Sequence, residues 1–126
     1  MRRAAAILAL AAGLFALPAA AQEPQAAFTA ANDAYRAGRY DEAARAYRGL
    51  VTAGQATPAA YFNLGNALLK SQRTAEALWA YLNARALSPG DPDIRANLEH
   101  AVSLLPEAAR VSWRPSAVVR WLAAGG

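Results

Sequence analysis

The sequence predicts an all-α fold: a solenoid of antiparallel helix hairpins, about two and a half units long, followed by a short C-terminal helix. Three observations carry this reading. Pro24, Pro58 and Pro92 recur on a 34-residue period. On that period Ala31-Asn32 falls on Gly65-Asn66, Ala43 on Ala77, Tyr47 on Tyr81 and Leu50 on Ala84. Between the turn signals, apolar residues return every three or four positions, as they do on one face of a helix.

The chain opens with Arg2 and Arg3, an uncharged stretch from Ala4 to Leu17, then Pro18 and Ala19-Ala20-Ala21. A basic end, an apolar middle and an A-x-A ending are the three parts of a secretory signal peptide, predicting cleavage between Ala21 and Gln22. The apolar stretch is too short to span the ~30 Å of a bilayer's hydrocarbon comfortably. Residues 1–21 are therefore read as the signal peptide, 22–105 as one domain and 106–126 as a tail. The domain divides into units 24–57 and 58–91 and a capping helix, 92–104.

Helices are expected over about 24–37, 41–53, 58–71, 75–87 and 92–104. Gly38 suits the left-handed cap that ends the first, and Asp41-Glu42 place negative charge at the positive end of the second. Thr74 is the candidate cap of the fourth, where Gln72 replaces the glycine of the first unit. The turn between the units, Thr52 to Thr57, lacks a proline at Gln55 and is expected to be looser than its counterpart at Pro89. Ile94, Leu98, Ala101, Val102 and Leu105 form the apolar stripe of the fifth helix, which Pro106 stops or kinks. In the tail, Ser116 can cap a short helix bearing Trp121 and Leu122, and Trp113 and Trp121 among arginines suit a membrane interface or a partner. The same helix could instead fold back over the last apolar face.

Composition narrows the function. Removing Arg2 and Arg3 lowers the formal charge from +4 to +2, and no Lys/Arg cluster remains to line a phosphate backbone, so nucleic acid is not an expected partner. With no cysteine there is no disulfide, thiolate metal site, nucleophilic thiol or lipid-bearing cysteine. His100 is the single histidine, without a second ligand at convincing spacing, and Asp41-Glu42, Asp91 and Asp93 are explained by helix starts. The expectation is a non-enzymatic protein needing no cofactor, metal or small-molecule substrate.

Tyr61, Leu64, Gly65, Leu68, Ala77, Tyr81, Ala84 and Pro89 occupy the eight signature positions of the tetratricopeptide repeat, and Pro58–Asp91 strongly resembles that family. The first unit keeps Gly38-Arg39-Tyr40-Asp41-Glu42-Ala43 and Tyr47 but carries Ala31 at the glycine position. The resemblance implies that the first helix of each unit lines a concave groove in which a segment of another protein binds. Asn32, Asn66 and His100 then share one groove position, and Asn63 and Asn97 another, one turn earlier. Carboxamides both donate and accept, which suits a peptide backbone. Arg36 and Lys70 would add a cationic edge, and Phe28 and Phe62 would be anchors. The asparagines could equally bond neighbouring helices and the aromatics simply pack.

The groove is similar in part to the carboxylate clamp of chaperone-binding repeats. Asn32 and Asn63 match its asparagines, whereas Phe28 replaces a clamp lysine, and Asp93 and Asn97 stand where further basic residues would be. A C-terminal carboxylate is a poor ligand on that pattern.

Beyond the repeat, Tyr61–Leu68, Ala77–Tyr81 and Pro89–Leu98 resemble the repeat segment of BatE-type proteins, over about residues 28–105. That family is encoded with MoxR-type ATPases and von Willebrand factor A proteins, which implies membrane-bound envelope partners. The sequence thus predicts a periplasmic scaffold mediating protein–protein interaction. The competing expectation is a membrane-peripheral structural or envelope-assembly factor acting through its Trp/Arg tail.

Overall fold

A computed structural model describes residues 19–112, as six helices joined by short turns. These are α1 (Ala19–Arg36), α2 (Tyr40–Thr52), α3 (Pro58–Lys70), α4 (Thr74–Leu87), α5 (Pro92–Ser103) and α6 (Glu107–Ser112). Successive helices pack as antiparallel hairpins, α1 on α2, α2 on α3 and α3 on α4; α5 packs on α4 and touches α3. This is the helix-hairpin solenoid that the 34-residue period predicts.

The hairpin turns show how the sequence stops one helix and starts the next. Gly38 adopts φ 76° and Gly54 φ 88°. In each case the following residue's N–H reaches back five positions: Arg39 donates to Ala34 at 2.9 Å and Gln55 to Leu50 at 2.9 Å. That is the left-handed closure which satisfies a helix's last carbonyls. The turn after α2, expected to be looser, is therefore closed by Gly54. Gln72 takes the same left-handed conformation, φ 61°, and Arg73 closes the turn onto the Leu68 carbonyl at 2.9 Å. A non-glycine residue is held there because packing of α3 on α4 dictates the turn, whatever residue occupies it.

Helix starts follow two patterns. Thr57 and Asp91 cap α3 and α5 through their side chains, with Pro58 and Pro92 in the first turn. Arg39 and Arg73 instead stand at the starts of α2 and α4 without side-chain caps. Each bonds the glutamate three residues on, Glu42 at 2.8 Å and Glu76 at 2.7 Å. Thr74, expected as a cap, is the first residue inside α4, because the Arg73 carbonyl already accepts the first helix bond, from Ala77 N–H at 3.0 Å.

α1 begins at Ala19 and so crosses the expected cleavage point, with Pro24 inside it. A chain starting at Gln22 would hold Pro24 in its first turn, where the missing N–H removes no helix bond. At the other end α5 stops at Ser103, and Pro106 precedes α6, whose Arg110 N–H bonds the Pro106 carbonyl at 3.0 Å. The helix expected around Ser116–Leu122, with Trp113 and Trp121, lies outside the described residues, as does most of the stretch read as a signal peptide.

The core interlocks small and large residues. Tyr47 and Tyr81 are buried to 1% and 0% exposure among fully buried alanines such as Ala43, Ala77 and Ala84. Leu64 and Leu68 fill the middle of the stack, and Ile94, Leu98 and Ala101 seat α5 on it. Beyond that seam α5 turns polar: Arg95, Glu99 and His100 are exposed. Glu99 occupies the position that Ala31 and Gly65 hold in the first two units, so the face that would receive a partner helix is solvated, as on a terminal repeat.

Candidate functional site

The asparagines of α1, α3 and α5 are brought together, and each is oriented by a neighbour. The Tyr47 hydroxyl donates to Asn32 Oδ1 at 2.6 Å and the Tyr81 hydroxyl to Asn66 Oδ1 at 2.7 Å. The same two oxygens accept from the next helix, Asn66 Oδ1 from Asn97 Nδ2 at 2.8 Å and Asn32 Oδ1 from Asn63 Nδ2 at 3.5 Å. The second rung is tight, whereas the first is at the outer limit of a hydrogen bond.

This pattern polarises the exposed edge. Asn32 and Asn66 spend their oxygens inward, so among the described residues each has its Nδ2 as the group without a partner; Asn63 and Asn97 spend their nitrogens and keep Oδ1. Across the three helices, donors and acceptors alternate, the alternation a peptide backbone needs. All four side chains are partly buried. The two tyrosines hold the arrangement in one protonation state, since burial pushes both hydroxyls above their ordinary range and leaves them donors at neutral pH.

Asn32, Asn63 and Asn66 line a concavity of about 190 Å³ together with Tyr35, Arg36 and Tyr47. Arg36 therefore reaches the site, but Asp33 binds its guanidinium at 2.7 Å and offsets its charge. Lys70 is exposed and makes no ion pair among the described residues. His100 is exposed on α5 and does not line the concavity. Its period partners Asn32 and Asn66 each have a tyrosine 15 residues on, whereas the sequence has Pro115 at the corresponding position.

The phenylalanines pack on the same tyrosines. Phe28 meets Tyr47 edge-on at 5.8 Å, and Phe62 lies tilted on Tyr81 at 6.0 Å. Both are partly buried; Phe28 also lines a second concavity, of about 460 Å³, between α1, the end of α2 and the start of α3. The residues that sequence reasoning missed are Tyr35 and the hydroxyls of Tyr47 and Tyr81. The signal was present as the repeated spacing of 15 between Asn32 and Tyr47 and between Asn66 and Tyr81.

Among the described residues, no group of three His, Cys, Asp or Glu side chains could hold a metal ion. No helix among them is long and apolar enough to cross a membrane. Residues 28–92, over half of the 126, match the family model of the tetratricopeptide repeat. Comparison with curated proteins returned no match.

Proposed function

The chain belongs to the tetratricopeptide-repeat family, and on that premise we propose that it is an exported scaffold of the bacterial envelope whose groove holds an extended segment of another protein. Repeats of this family mediate protein–protein interaction and are as a rule non-catalytic. The observation that carries the reading is the oriented asparagine ladder: Tyr47 and Tyr81 hold Asn32 and Asn66 with their N–H groups outward. A surface prepared before a ligand arrives loses less entropy on binding. Alternating carboxamide donors and acceptors bond main-chain groups whatever the side chains, so affinity would come from the backbone and selectivity from the surroundings.

Export is supported by the Arg2-Arg3 start, the apolar stretch and the Ala19–Ala21 ending. Likeness of Tyr61–Leu68 and Pro89–Leu98 to BatE-type repeats makes membrane-bound proteins of a MoxR and von Willebrand factor A system the first partners to test. The mature chain, residues 22–126, should capture such a partner from envelope extracts. Asn66→Arg, which puts charge and bulk in the ladder, should abolish capture. Asn63→Arg does the same without touching the Tyr81 bond, and the unfolding midpoint of each variant separates lost binding from lost stability. Capture unaffected by both would rule out the groove.

A further inference from the structure

The outward face of α4 is apolar where its counterpart one unit earlier is polar. α4 buries the side that carries Ala77, Tyr81 and Ala84. On the opposite side Ala75, Trp79, Leu82 and Ala86 recur at steps of four, three and four; the first, second and last are exposed and Leu82 is partly buried. On α2 the same four places in the 34-residue period hold Asp41, Arg45, Arg48 and Thr52, all exposed. Stacking of the repeat is thus served by polar residues here, and does not account for an indole that is 47% exposed. Tyr61 meets that indole at 5.7 Å, ring edge to ring face, and steadies it without covering it.

The pattern also says what fits this face. From either end of α4 the stripe reads alanine, large apolar, large apolar, alanine. If two copies lie antiparallel about an axis between Ala80 and Tyr81, each Ala75 meets the other chain's Ala86 and each Trp79 the other's Leu82. Every contact is then made twice, as twofold symmetry requires. Alanines at the ends let the backbones approach, the large residues fill the middle, and the helix dipoles are opposed. The stripe buries no charge, and Glu76 beside it is already held by Arg48 at 2.8 Å and Arg73 at 2.7 Å. An unrelated partner or a lipid surface gives the stripe no reason to read alike in both directions.

We infer that this face is a self-association surface, on which a second copy of the chain docks antiparallel through α4. Trp79 is its centre. Its exposed part amounts to roughly 100 Å², and with its neighbours the face offers a few hundred Å² per copy, against the ~800 Å² of a standard interface. The dimer is consequently weak, with Kd on the order of 0.1 mM. The asparagine ladder is carried by α1, α3 and α5, so the pair keeps two open grooves and can hold a bivalent partner far more tightly than one chain does. The inference does not depend on what those grooves bind.

The test is sedimentation of the mature chain, residues 22–126, from about 10 µM to 1 mM, beside Trp79→Arg and Ala75→Asp. These substitutions install the residue types that the first unit carries at Arg45 and Asp41, so the repeat accommodates them. Ala75→Asp lies at an exposed site and decides alone if Trp79→Arg melts early. The wild type should pass from monomer to dimer, and each variant, changed twice in a symmetric pair, should weaken that step ~10-fold or more. Because the chain has no cysteine, Ala75→Cys and Ala86→Cys each supply a single thiol. In the antiparallel pair these two positions adjoin, whereas two copies of residue 75 stand ~16 Å apart along the helices. A thiol cross-linker shorter than that should join the two variants when mixed and neither to itself.

A chain still monomeric at the highest concentration, or association that both substitutions leave within about twofold of wild type, would overturn the inference. Self-linking of either thiol variant as readily as cross-linking would do so too. A monomer whose residue 75 thiol is shielded from a soluble reagent would assign the face to another part of the same chain, and Trp79-dependent flotation of a monomer with vesicles would assign it to lipid.

Discussion

The Tyr81 ring occupies the space that a side chain on Gly65 would need: a Cβ there would meet Tyr81 Cε1 at 2.5 Å. Tyr81 is also the residue whose hydroxyl orients Asn66. The close approach of α3 to α4 and the polarity of the ladder therefore depend on one ring.

Gly65→Ala should accordingly destabilise the fold by about 1–3 kcal/mol, the usual cost of overpacking a filled core. Chemical unfolding would measure it. A variant as stable as the wild type would mean that the ring can shift, and that its place is not set by Gly65.

Gln72 is strained for the opposite reason, holding a left-handed backbone with a side chain attached, φ 61°. Gln72→Gly should stabilise the protein by about 1 kcal/mol, because the left-handed conformation costs an L-residue roughly 1–2 kcal/mol and glycine's greater unfolded entropy returns part of that. Gly38→Ala, at φ 76° with nothing within 4 Å of the added Cβ, should lose a similar amount through backbone conformation alone. Thermal melts of the two variants should move in opposite directions.

Tyr81→Phe removes the donor to Asn66 Oδ1 but leaves that oxygen its bond from Asn97. The loss of one such bond is expected to cost about 0.5–1.5 kcal/mol. If the ladder needs the hydroxyl for orientation, affinity for a captured segment should fall as well. A stability loss without any change in affinity would show that Asn97 alone orients Asn66.

The pH dependence has a definite sign. Burial raises the Tyr81 pKa above its ordinary value of 10.0 in the folded chain, and Tyr47 shifts the same way. Below pH 10 both states hold the proton and the contribution to stability is complete. Above it the unfolded chain releases protons that the folded chain keeps, so stability falls with rising pH. Urea midpoints should decline above about pH 10, with the part of the tyrosinate absorbance that belongs to Tyr47 and Tyr81 appearing only on unfolding. A double Tyr47→Phe, Tyr81→Phe variant should show a much shallower decline.

The tail reading has its own check. A scaffold working through its groove should leave the mature chain in the dense fraction when mixed with vesicles and spun through a density gradient. Flotation would assign Trp113 and Trp121 to lipid and favour the membrane-peripheral reading.

Much of this was legible from the residues. Spacing of Pro24, Pro58 and Pro92 and the recurrence of Ala43/Ala77 and Tyr47/Tyr81 predicted five helices within a few residues of α1 to α5. Helix periodicity and turn chemistry are local, and a repeat states them more than once. The early start of α1, the role of Thr74 and the closure at Gly54 escaped because helix ends depend on which backbone groups the neighbouring helix leaves unsatisfied.

The amino-acid order alone determined that this protein is a stack of helix pairs, and which asparagines share a face, since both follow from periods of 3.6 and 34 residues written along the chain. Only the tertiary structure decided which way each carboxamide turns, that Asp33 offsets Arg36, and that His100 stands apart from the concavity. Those outcomes depend on side-chain atoms of successive turns or of neighbouring helices meeting or failing to meet, which no period along the chain specifies.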